Sequence, residues 1–182
     1  MNDVTPKPGR KPMSSDIRSI IASQYAAALD MLGDAVSKCP EDLWADESYE
    51  NRFWHVAYHV LYYTHLYLAE NEEAFESWEH HRKGHEFFGP VSWLPGFTPE
   101  IGDSYTKEQI LAYMDLCREE VARQIPSTDL EAESGFFWLP FSKLELQFYN
   151  IRHLQHHTAQ LADRLRNRAS IGVDWVGTRK PS

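Results

Sequence analysis

Residues 142–166 read SKLELQFYNIRHLQHHTAQLADRLR, and the fold depends on what this stretch becomes. It opens on the capping-box pattern Ser142-Lys-Leu-Glu145. Behind that start, Ile151, Leu154, Thr158, Leu161 and Leu165 recur at the three- and four-residue spacing of a single helical face. Lysine and arginine collect toward about Arg168, where the helix dipole favours cations. A long helix with one apolar stripe is stable in water only when other helices cover that stripe.

Outward from it, the chain supplies three such partners. A first helix begins at Ser15 or Asp16, carries Ile17, Ile20, Ile21, Tyr25, Ala28, Leu29, Leu32 and Val36 at helical spacing, and closes near Cys39-Pro40. A second runs from about Glu50 to Ala69, apolar nearly all round and therefore largely buried, and a weaker helical piece is predicted from Glu72 to about His85. The third opens with the capping box Thr106-Lys-Glu-Gln109 and runs to about Ile125, where Pro126 stops it. No stretch alternates as a strand does. The expected fold is all-α, a four-helix bundle.

The connections carry information as well. GPVSWLPGFTPEIGDS, residues 89–104, lies in a long aromatic-rich loop between the second and third helices and reads as a packed lid or binding loop. GFFWLPFS, residues 135–142, reads as a short extended piece over one bundle end. Residues 1–13, MNDVTPKPGRKPM, have almost nothing apolar to bury and are expected to be a disordered tail, leaving residues 14–182 as one domain.

Bulk composition narrows the partners. The formal net charge of -9 argues against a nucleic-acid surface and against docking on anionic membranes. Cys39 and Cys117, without CxxC spacing, indicate neither a disulfide framework nor a cysteine zinc site. With no bilayer-spanning run and no secretory h-region, a cytoplasmic protein is expected. Aromatic residues make up 13% of the chain, enough to suggest a large core or a lined pocket.

The histidines point to chemistry. At about 100° per residue, His153 and His157 share one stripe of the last helix, one turn apart, with the spacing two imidazoles need to hold one transition-metal ion. His156 points about 60° off that stripe and is the poorer co-ligand. On the second helix His55 and His59 share a stripe and His65 lies away from it; His59 sits centrally among apolar residues and is the preferred third ligand, with His55 as its support or substitute. His80, His81 and His85, set among Glu79, Arg82, Lys83 and Glu86, read as an exposed, charged turn.

The strings RHLQHHTAQL and AYHVLYYTHLYL, with CPEDLW, YTKEQILAYMDLCREEV and FSKLELQFYNIRHLQHHTAQL in the same order, resemble the DinB/YfiT-like superfamily over nearly the whole chain after the tail. The resemblance implies a four-helix bundle holding a divalent metal through one histidine of the second helix and an i,i+4 pair on the last. Here those are His59, His153 and His157. Many relatives carry glycine where this chain has Ala159, before Gln160.

Three neutral imidazoles leave a fourth position open, which favours catalysis over a structural role. Such ligands suit zinc or nickel first, and iron as well. The resemblance implies thiol-dependent transfer or isomerisation, with mycothiol, bacillithiol or glutathione as the kind of thiol; a metal-dependent hydrolase and a non-catalytic metal-binding bundle are the alternatives. A small-molecule substrate is expected against Tyr62, Tyr63, Trp93 or the FFW segment, with Gln160 and His156 beside the ligands. Relatives of this fold often pair, so a homodimer is an expectation too.

Overall fold

Local capping chemistry sets the helix boundaries in the computed structural model, which describes residues 16–91 and 95–179. The Asp16 side chain accepts the Arg18 amide and starts α1 (Ile17–Lys38). Pro40 then leads into a single short turn of helix, α2 (Glu41–Trp44), which buries Leu43 and Trp44. The second long helix, α3 (Phe53–Leu66), is shorter at both ends than the expected 50–69. Thr106 and Gln109 form both halves of the expected capping box at α4 (Lys107–Gln124). Ser142 caps α5 (Lys143–Ala169), which ends at Ser170 in the left-handed conformation, φ 57°.

The four long helices form the bundle: α1 and α3 each pack against both α4 and α5. Its centre is unusually aromatic. Tyr25, Trp54, Tyr58, Tyr105 and Tyr113 are all fully buried, and each such side chain withdrawn from water contributes on the order of 2 kcal/mol. The tyrosine hydroxyls find partners, as Tyr25 donates to Gln147 Oε1 at 2.8 Å and Tyr105 to the His80 carbonyl at 2.9 Å, whereas Trp54 Nε1 has none among the described residues. The expected apolar face of α5 is in place, with Leu154, Thr158, Leu161 and Leu165 buried and Ile151 half-buried.

Residues 72–85 are not helical, contrary to the periodicity reading. They form single turns, such as Phe75 N–H to Glu72 O and His81 N–H to Trp78 O. The physical reason lies at the end of α3. The Lys143 ammonium takes the carbonyls of Ala69 and Glu70 at 2.9 and 2.7 Å, ending the helical run, and in 72–85 too few apolar residues follow to make a stripe. Burial pulls the Lys143 pKa down to about 8, a cost these two bonds offset in part.

His81 and His85 also depart from the exposed-turn reading. His80 is exposed, but His81 is half-buried and bonds the Tyr58 hydroxyl at 2.6 Å, and His85 is buried against Trp54 and Tyr105. The turns fold inward because Trp78 anchors them, stacked on Tyr113 at 4.5 Å.

Residues 135–142 do lie over a bundle end. Ser142 bridges to Glu133, and Phe136 and Leu139 join Leu66, Tyr67 and Leu146 in a small second core. Gly135, at φ 84°, is required there: a Cβ would sit 2.1 Å from the Glu70 carbonyl oxygen. Beyond α5, residues 171–179 run back along α1. Gly172 O accepts from Lys38 at 3.1 Å, the Asp174 amide donates to Asp34 at 3.0 Å, and Arg179 reaches Asp30 at 2.5 Å. The expected N-terminal tail, residues 1–13, and Trp93 lie outside the described residues. No helix among the described residues is long and apolar enough to cross a membrane.

Candidate metal centre

The facing stripes of α3 and α5 bring His59, His153 and His157 together, one ligand nitrogen of each lying within 4.8 Å of the others. The three rings meet edge to face, with centroids 5.2 Å (His59–His153), 4.8 Å (His59–His157) and 4.6 Å (His153–His157) apart. His59 Nε2 and His153 Nε2 are 3.3 Å apart. Two nitrogens bound at about 2.0–2.1 Å to one tetrahedral ion stand about 3.3–3.4 Å from each other, so this pair is already spaced as co-ligands. Among the described residues no fourth histidine, cysteine or carboxylate joins the group.

Two of the three rings are held in the tautomer a metal needs. His59 Nδ1 lies 2.7 Å from the Glu86 carbonyl oxygen, which can only accept, so Nδ1 carries the proton and Nε2 presents its lone pair. His157 Nδ1 donates to Gln160 Oε1 at 2.8 Å, with the same result. The Gln160 amide group in turn donates to His156 Nε2 at 3.1 Å. His153 Nδ1 is buried without a partner among the described residues; its ring is held by packing, edge-on to Tyr63 at 5.6 Å.

Electrostatics keep these rings neutral. Burial comes first for all three; for His59, the neighbouring His157 and His153 add to it, and its pKa falls well below the usual imidazole value. His153 is pushed down to about 3 by burial, with His157 and His156 contributing. His157 is lowered by burial, which the Gln160 bond partly opposes. A neutral imidazole is the metal-binding form. The donor set is therefore chemically suited to a divalent transition ion.

The surroundings sort the other expected residues. His55 is not part of the group: its Nε2 bonds the His85 carbonyl at 2.9 Å, so it anchors the 84–88 loop. Tyr63 stands against the centre, its ring 4.9 Å from that of His59, whereas Tyr62 turns toward Phe75 and His81. His156 is exposed and touches the centre only through Gln160 and its ring contact with His157. Burial pushes the Tyr62 and Tyr63 hydroxyls upward, so both stay protonated donors.

Phe88 carries no expectation from sequence, and Glu86, expected in an exposed turn, is buried. Phe88 stacks on the His59 ring at 3.8 Å. Glu86 acts on His59 through its main-chain carbonyl, which every residue possesses, so its side-chain type gives no signal. Only the glycine at 84 and the apolar Phe87-Phe88 that follow hint that this charged loop turns inward.

The sequence profile of the DinB superfamily matches residues 6–161. No curated protein and no solved structure matches the chain.

Proposed function

We propose, from the premise that this chain belongs to the DinB superfamily, that it is a metal-dependent enzyme acting through His59, His153 and His157. The reading rests on one observation above the others: two imidazole nitrogens from separate helices stand 3.3 Å apart, and the His59 Nε2 lone pair is turned to His153 Nε2. Without an ion, the pair is satisfied only when His153 donates from Nε2, and its Nδ1 acceptor then stays buried without a partner among the described residues, which is unfavourable. Zinc or nickel suits three imidazoles best.

A bound divalent ion supplies Lewis acidity, making a thiol or a water that reaches it a stronger acid near neutral pH. The chain's own residues do the rest. Glu86 O and Gln160 Oε1 fix the ring orientations, Phe88 and Tyr63 wall the centre with apolar surface, and the Tyr63 hydroxyl remains a proton donor at its edge. The reaction we favour is transfer of a low-molecular-weight thiol to a small electrophile, or a thiol-assisted isomerisation. Hydrolysis of a small ester or amide is the second possibility, because the same centre activates water.

Elemental analysis of protein purified without a histidine tag tests the site. About one zinc or nickel per chain is expected, falling to background in His157→Ala while far-UV circular dichroism keeps its helical signal. A screen of glutathione, mycothiol and bacillithiol with an electrophilic chloronitrobenzene then tests the chemistry, with p-nitrophenyl acetate as the hydrolase arm. Stoichiometric metal with no turnover in either arm would leave a non-catalytic metal-binding bundle; no metal at all would refute the proposal.

A further inference from the structure

Glu86 is the only buried acidic side chain among the described residues. Withdrawing a carboxylate from water is costly unless a cation or several hydrogen bonds compensate. Here the compensation is thin: Oε2 accepts the Gly84 amide at 2.7 Å, and no lysine or arginine among the described residues pairs with it. Proteins keep such a group where it serves something else.

The loop around it shows what that is. Gly84 adopts φ 96°, a conformation open to glycine, and turns its amide toward the Glu86 carboxylate. The turn so closed presents two successive carbonyls to α3, that of His85 to His55 Nε2 at 2.9 Å and that of Glu86 to His59 Nδ1 at 2.7 Å. It also lays Phe88 on the His59 ring.

We infer that Glu86 is a positioning residue of the metal centre: its carboxylate closes the 84–86 turn that aims its own main-chain carbonyl at His59. This inference rests on the metal-binding reading above.

Glu86→Gln keeps an amide oxygen that accepts from Gly84, whereas Glu86→Ala removes the acceptor and frees the turn. Each variant and the wild type would be stripped of metal, compared by thermal midpoint, and titrated with Co(II) against a chromophoric chelator. The Gln variant is expected to bind Co(II) within about twofold of wild type, and the Ala variant about tenfold more weakly with a shifted visible Co(II) absorption. Co(II) affinity of the Ala variant equal to wild type overturns the inference alone, as does a Gln variant that binds as weakly as the Ala variant or a lowered melting temperature with affinity unchanged. A wild type that takes up no Co(II), Zn(II) or Ni(II) overturns both this inference and the reading beneath it.

Discussion

Gln160 bridges two histidines, accepting from His157 Nδ1 and donating to His156 Nε2. Its place one turn beyond His157 was legible from helical arithmetic, and so was the triad, because a rigid helix converts sequence spacing directly into angle. What spacing does not convey is which ring nitrogen is free; that depends on acceptors, and the acceptor for His59 is a main-chain carbonyl in a distant loop. Gln160→Ala should release the His157 ring and weaken metal binding about tenfold, with little change in the stability of the metal-free protein. Gln160→Glu keeps an acceptor and should recover most of the loss. Chelator competition measures both, and equal affinities for wild type and the Ala variant would contradict the bridge.

At the scale of elements, the four long helices follow from apolar periodicity and capping residues, and their predicted starts agree within a few residues with α1, α3, α4 and α5. The region between α3 and α4 did not, because its order comes from tertiary anchors: Trp78 on Tyr113, His81 on Tyr58, and Lys143 on the carbonyls after α3. None of these repeats at a fixed interval, so no period announces them. The segment over the bundle end likewise depends on one close approach. Gly135→Ala should cost about 2 kcal/mol or more, since the added carbon meets the Glu70 carbonyl and the backbone conformation disfavours any side chain. The urea midpoint should fall with the slope unchanged; a shift under about 0.5 kcal/mol would mean that the segment does not sit against residue 70.

For the whole molecule, the buried histidines couple folding to pH. His55 is lowered to about 4 and His153 to about 3 from an ordinary value of 6.5, and His59, His65, His81, His85 and His157 are lowered too, burial being the leading cause in each. A depressed imidazole pKa means that the unfolded chain binds more protons below about pH 6.5. Stability is therefore full above that pH and is lost as pH falls toward the folded-state values, by up to about 1.4 kcal/mol per pH unit for each histidine held neutral. Metal-free protein should show its denaturation midpoint dropping between pH 6.5 and 4, more steeply than the carboxylates alone would give. A flat midpoint across that interval would mean that the rings are not held neutral by burial.

The C-terminal segment 171–179 has a consequence of its own. Beyond Ile171 and Val173, which pack on the core, it is tied down through polar atoms at the surface, Arg179 on Asp30 and Asp174 near Lys38, with Trp175 mostly exposed. It is thus a removable sleeve over the outer side of α1. A protease that trims the chain back to Val173 would take Arg179 away from Asp30 and leave the bundle standing, but with a different electrostatic skin on its first helix for any neighbouring molecule to meet.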